Sequence, residues 1–213
     1  ENIIVYINYK FNTLLKEYKS YIKLVSCSCN FINVFDVQKI VNDNGYKKVI
    51  RIVDGGVDFQ HSMLNGMRGL SGIAADDDIT LTHWAASPFV TNDVISDNIR
   101  VCKDKGNAMS ACPFFLIVGS NDGDHSLKWV DRDSIILLNA PQSFRYSLLR
   151  DFYEKAVATG VIDQVEPHTT TLMYKMRIPI FYSKGNQLNI KITTKEDLEL
   201  FRGYILSKRC AEM

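Results

Sequence analysis

The chain of 213 residues is 46% hydrophobic, enough to bury one sizeable core and within the usual range of a single domain. Lys and Arg number 25 and Asp and Glu 24, so the net charge of +1 supplies no global field for nucleic acid or for an anionic membrane surface. Apolar runs reach only strand length, short of the roughly 20 residues that span a bilayer, and any phosphate binding has to be local.

In chain order, Glu1 leads straight into the strand-like "IIVYI" (3–7), with neither a signal-peptide pattern nor an initiator Met, so upstream sequence is expected. "FNTLLKEYKSYI" (11–22) has helical periodicity. Five Cys, at 27, 29, 102, 112 and 210, are odd in number and scattered, which suggests a reducing cytosol and a cytoplasmic protein. The C-x-C pair of "SCSC" (26–29) lacks a second Cys or His cluster at zinc spacing and reads as strand, not metal site. "VFDVQKIVNDNG" (34–45) is helical with a stop at Gly45, and "KKVIRIVDGG" (47–56) is a strand ending in paired glycines. A short helix in "DFQHSMLNGMRGL" (58–70), a strand in "DDDITLTH" (76–83) and a helix in "TNDVISDNIRVCKDKG" (91–106) follow. Asp76 to Asp78 read as a solvated turn before a buried strand.

Beyond "NAMSACPFFLIVGS" (107–120) the pattern changes, because Asp122-Gly123 is a hairpin signal flanked by two runs able to pair antiparallel. An arm projecting from the sheet is predicted. "APQSFRYSLLRDFYEKAVATG" (140–160) reads as helix with Pro141 in its first turn and Gly160 at its stop. "IPIFYS" (178–183) and "LNIKIT" (188–193) read as strands, and "TKEDLELFRGYILSKR" (194–209) as a final helix opened by a Thr194/Asp197 capping box. The alternation predicts a single α/β domain over 1–213, a three-layer, mainly parallel sheet covered by helices.

In such a sheet ligands bind beyond the carboxyl ends of the strands. Three ends qualify: Asp54-Gly55-Gly56, the loop from His83 to Pro88, and the turn after Lys191. The paired glycines either make a tight turn only, or let a base or phosphate approach the main chain with Ser62 as hydroxyl partner. Lys191 is either a solvated lysine or a phosphate ligand just before a helix N-terminus. His61, His83, His125 and His168 show no zinc-protease spacing, and neither a G-x-S-x-G elbow nor a dinucleotide G-x-G-x-x-G occurs.

The motifs "DGGVDFQHSMLNGM", "DDDITLTHWAASPFVT", "DRDSIILLNAPQSFR" and "NIKITTKEDLELFRGYI" together resemble the 2-C-methyl-D-erythritol 4-phosphate cytidylyltransferases and the closely similar ribitol-5-phosphate cytidylyltransferases. The resemblance covers essentially the whole chain. It implies a Rossmann-like enzyme that transfers CMP from CTP to a polyol phosphate and releases pyrophosphate. It also implies a homodimer in which the arm, 113–138, reaches toward the partner's site. By the same resemblance Lys191 positions the polyol phosphate, and Arg132 contacts the substrate phosphate from the neighbouring subunit. Gly55, Gly56 and Ser62 would recognise the cytosine. The family's glycine-rich triphosphate loop belongs upstream of the strand matching "NIIVYI", so the domain is expected to be N-terminally incomplete.

The resemblance also implies Mg²⁺, bound by the Asp of a His-Asp-Ala-Ala/Val-Arg-Pro loop. Here Trp84 stands in place of that Asp and Ser87 in place of the Arg, and an indole cannot coordinate a hard cation through oxygen. Polar family positions are also replaced near Phe59, at Leu116 and Ile117, and around His168 to Thr170. These departures leave a second reading open, a non-catalytic dimeric paralogue acting as a binding or scaffolding subunit.

Overall fold

Strand and helix patterns of this kind can bury both faces of a sheet only if helices cover each side, and the chain takes that solution. A computed structural model describes residues 3–7, 22–27, 34–45, 49–84 and 86–211. The first half contains β1 (Ile3–Ile7), β2 (Ile22–Cys27), α1 (Val34–Asp43), β3 (Val49–Val53), α2 (Phe59–Gly69), β4 (Ile79–His83) and α3 (Asn92–Lys105). The second contains β5 (Asn107–Pro113), the short β6 (Val118–Gly119) and β7 (Trp129–Val130), β8 (Ile136–Arg145), α4 (Tyr146–Ala158), α5 (Thr169–Lys175), β9 (Tyr182–Lys184) and α6 (Lys195–Ala211). Cys27 closes β2, whereas Cys29 and the expected helix over 11–22, Ile22 apart, lie outside the described residues.

Seven strands form one sheet in the order β3-β2-β1-β4-β8-β5-β9. All run in the same direction except β8, which is antiparallel to both β4 and β5. The fold is thus a Rossmann-like three-layer α/β arrangement with a mainly parallel sheet. On one face Ile79, Leu81 and Ala108 pack against Ile95, Ile99 and Cys102 of α3. On the other, Phe144 of β8 meets α2, α4 and α5 through Met63, Met67, Leu149, Phe152, Tyr153 and Leu172. Burying these side chains on both faces contributes roughly 1.5–3 kcal/mol for each large one.

Two expectations are corrected. "APQSFR" is the end of β8, not the start of a helix, and α4 begins only at Tyr146. Ala140, Gln142, Ser143 and Phe144 are buried between β4 and β5, so sheet pairing overrides the proline-first helix pattern. Pro141 sits where the β5–β8 register shifts between Met109 and Ser110, an irregularity that tolerates a residue with no N–H. "LNIKIT" is not a strand either: after β9 its chain is held by side-chain and loop contacts instead of a ladder. The turn at Asp76–Asp78 is as expected for its first two residues, but Asp78 is buried and its carboxylate accepts the Ala75 N–H at 2.9 Å.

The arm exists as a two-stranded unit, Val118 facing Val130 and Gly119 facing Trp129. Its tip is closed by Asp122, whose carboxylate accepts the Leu127 N–H at 3.0 Å and the Ser120 hydroxyl. Gly123 adopts φ +96°, a left-handed geometry that favours glycine over residues with a side chain.

Candidate functional site

Because β3, β1, β4, β5 and β9 share one direction, their carboxyl ends share one edge of the sheet. The register aligns Val53 with Cys27, Ser26 with Ile7, and Ile7 with His83. The Asp54-Gly55-Gly56 turn, the loop after His83, the arm after Pro113 and the segment after Lys184 all leave from that edge, where an open α/β sheet forms its ligand crevice.

At the β3 end, Asp58 caps α2 by accepting the His61 N–H at 2.8 Å, and the same oxygen lies 2.9 Å from His61 Nδ1. Burial alone would raise the Asp58 pKa, but the hydrogen bonds from His61 outweigh it and hold the carboxyl below its ordinary range. Ser62 donates its hydroxyl to the Asp58 carbonyl at 2.8 Å and accepts the Gly56 N–H at 2.9 Å. A Cβ on Gly56 would fall 2.2 Å from His61 Cβ and 2.7 Å from the Ser62 nitrogen, so this position requires glycine for packing against its own helix. Ser62 therefore shapes the Gly55-Gly56 turn through its hydroxyl, which acts as donor and acceptor at once.

At the β4 end, His83 is 1% exposed, and its Nε2 lies 2.7 Å from the Ser87 carbonyl. A carbonyl only accepts, so Nε2 carries the proton, and burial lowers the imidazole pKa to about 4 despite that bond. The Ser87 N–H donates to the Trp84 carbonyl at 3.0 Å, closing the turn. Phe89 then stacks on α6, 4.7 Å from the Phe201 ring and 4.6 Å from that of Tyr204.

The segment carrying Lys191 is fastened to this loop, for the Ile192 N–H donates to the Ala86 carbonyl at 2.8 Å. Asn189, 1% exposed, donates to the Ala140 carbonyl at 2.7 Å, while its own carbonyl accepts from Asn139 Nδ2 at 2.6 Å. With these anchors the Lys191 ammonium lies 5.5 Å from the centroid of the Trp84 ring, within cation–π range. Just before α6, Asp197 accepts the Thr193 and Thr194 N–H groups at 2.8 and 2.9 Å, and Thr194 Oγ1 accepts the Asp197 N–H at 3.2 Å.

Arg132 sits in the arm, away from those loops in sequence, and donates to the Phe115 carbonyl at 3.0 Å, tying the two sides of the arm base together. The structure thus brings Lys191 and Trp84 together and joins Gly56 to Ser62. Sequence reasoning missed Asn189 and Asp58. An Asn inside an apolar run and an Asp three residues before His61 were the available signals.

The Mg²⁺ implied by the resemblance is not fitted by this loop. From Trp84 to Val90 it carries no carboxylate, and the His83 nitrogen that bears the proton is engaged with Ser87. Among the described residues no three His, Cys, Asp or Glu side chains are placed to share a metal ion.

A family model described as IspD, 2-C-methyl-D-erythritol 4-phosphate cytidylyltransferase, matches residues 19–207. The chain belongs to this family. A ribitol-5-phosphate cytidylyltransferase of Lacticaseibacillus paracasei is 31% identical over 79% of this chain and 72% of its own length. A 2-C-methyl-D-erythritol 4-phosphate cytidylyltransferase of Geobacter metallireducens is 30% identical over 80% and 72%. The same fold occurs in the 4-diphosphocytidyl-2C-methyl-D-erythritol synthase of Anaerococcus prevotii, with TM-score 0.76 at 20% identity over 97% of this chain and 96% of that one. It also occurs in the cytidylyltransferase (IspD) of Francisella tularensis, with TM-score 0.74 at 22% identity over 95% and 99%.

Proposed function

We propose that this member of the cytidylyltransferase family transfers CMP from CTP to a polyol phosphate of the methylerythritol 4-phosphate or ribitol 5-phosphate type. An oxygen of the polyol phosphate attacks the α-phosphorus of CTP in line, the bond from that phosphorus to the bridging oxygen breaks, and pyrophosphate leaves with the electron pair. Positioning and electrostatics carry such a step. Lys191 meets the negative charge of the phosphates at the end of β4, and the Gly55-Gly56 turn, set by Ser62, presents backbone groups to the cytosine edge. The observation that carries the reading is the Lys191 ammonium held at the carboxyl edge of the sheet, 5.5 Å from the Trp84 ring, in a chain of this family.

The protein works as a homodimer in this reading. The arm, 113–138, exposes Phe115, Leu116, Ile117, Leu127 and Trp129, an apolar surface that a second copy would cover, with Arg132 at its base as the residue offered to the partner's substrate phosphate. A cytoplasmic location belongs to the same proposal, supported by the free thiols of Cys102, Cys112 and Cys210. No described helix is long and apolar enough to cross a membrane.

A second reading, a dimeric paralogue that binds without turnover, is favoured by one feature, the carboxylate-free loop at Trp84. Incubating the protein with CTP and either polyol phosphate, and measuring pyrophosphate together with the CDP-polyol, separates the two. Product formation abolished by Lys191→Ala supports the enzyme, and CTP binding with no product from either acceptor supports the paralogue.

A further inference from the structure

The loop after β4 and the segment before α6 form one body, and its composition is unusual for a place that handles phosphates. Its described part offers no carboxylate to a metal, yet it holds a lysine ammonium against the face of an indole. Three independent anchors set that lysine: the Ile192–Ala86 backbone bond at 2.8 Å, the Asn189 amide on Ala140 at 2.7 Å, and the Asp197 carboxylate on Thr193 and Thr194. The body is in turn stacked on α6 through Phe89. A flexible four-carbon stem would otherwise sample many rotamers, and the indole face selects those that keep the ammonium at the end of β4.

We propose that Trp84 is a positioning residue that holds Lys191 at the carboxyl end of β4, so that phosphate groups of a nucleotide bind this loop with lysine as the cation and without a divalent metal ion. The proposal rests on the nucleotide-binding reading above but not on turnover. Lysine suits the role because its ammonium is a compact charge with three donors, able to serve an anionic oxygen on one side while the indole faces it on the other. The arrangement also accounts for the residue type. Leucine would fill the same space but has no π-face, and a carboxylate would bind the lysine instead of merely placing it.

The test uses the whole protein and CTP as probe, measured by calorimetry in EDTA and in excess Mg²⁺. Affinities in the two buffers are expected to agree within about threefold, since no loop carboxylate contributes to a metal. Trp84→Leu is expected to weaken CTP binding about fivefold or more and Trp84→Phe by less than about twofold, in line with the loss or retention of a cation–π contact. Lys191→Met should lose at least as much as Trp84→Leu. A second readout is free of any reaction. In a Trp129→Phe background Trp84 is the remaining tryptophan, and its fluorescence should respond to CTP in EDTA, with the response abolished by Lys191→Met.

Loss of CTP binding in EDTA by more than about tenfold, or wild-type affinity in Trp84→Leu, overturns the proposal. Transfer activity with a metal-dependent CTP affinity that Trp84→Leu leaves unchanged would sink this inference and leave the proposed function standing. Metal-independent binding through Trp84 and Lys191 with no transfer would do the reverse. Failure to bind CTP in either buffer overturns both.

Discussion

His83 shows how one side chain can stabilise a loop and at the same time make it sensitive to acid. Its imidazole is buried with Nε2 bonded to the Ser87 carbonyl, and burial lowers its pKa from 6.5 to about 4. The fold therefore favours the neutral form, and below pH 6.5 the unfolded chain takes up a proton that the native chain refuses. Stability is full above about pH 6.5 and declines as pH falls toward 4, by up to about 3 kcal/mol over the whole window. Exposed carboxylates act lower: Asp93, bonded by Lys184, and Asp197, bonded by the Thr193 amide, are both held near 2, so their contribution is lost only below the ordinary carboxyl value of 3.8. Urea midpoints measured across pH should thus fall between pH 6.5 and 4 in the wild type. In His83→Gln, whose amide can still donate to Ser87 but does not titrate, this part of the slope should vanish. A wild-type midpoint that is flat in that range would show that another group, or none, governs the loop.

Elements reveal where local signals and tertiary context agree. Helix α6 is specified locally: Thr194 Oγ1 accepts the Asp197 N–H at 3.2 Å while Asp197 accepts the Thr194 N–H at 2.9 Å, the reciprocal box expected from the sequence. Gly203 sits inside the same helix with ordinary backbone and open space where a Cβ would go. Gly203→Ala should therefore stabilise by about 0.5–1 kcal/mol and Thr194→Ala destabilise by about 1 kcal/mol. The opposite shifts are readable as melting temperatures, and equal signs would contradict the assignment of these residues. Where a strand is decided by its neighbours, sequence does less well. "APQSFR" has the marks of a helix start, yet its burial between β4 and β5 makes it strand, and only the partners reveal that. "LNIKIT" has perfect alternation, yet it finds a loop carbonyl at Ala86 instead of a ladder. Among the candidate site residues, Gly55 and Gly56 at a strand end and Lys191 before a helix have local signatures. The contact between Trp84 and Lys191 joins residues more than a hundred positions apart, and no local pattern encodes it.

At the scale of the molecule, the arm is the part that the domain core does not explain. Two strands of two residues each cannot stabilise themselves in water, and the described residues of the arm pack little against the sheet. What order it has comes from its ends, with Asp122 closing the tip and Arg132 bonded to the Phe115 carbonyl at the base. Between them Ile117 is 90% exposed, Leu127 77% and Trp129 76%, lying beside a shallow cleft of about 270 Å³ lined by Ile117, Trp129 and Arg132. An apolar, aromatic surface on an arm tied at its base is the composition of an interface centre, where one tryptophan can contribute at least about 2 kcal/mol. If a second copy covers it, Trp129→Asp should move the protein from dimer to monomer in sedimentation equilibrium. Because Trp129 is mostly exposed within one chain, the intrinsic stability of the monomeric fold should change little. Transfer activity should fall with dissociation and return partly at high protein concentration, since Arg132 would act on the site of the other copy. A Trp129→Asp protein that sediments as the wild type does would leave the arm without a role in assembly.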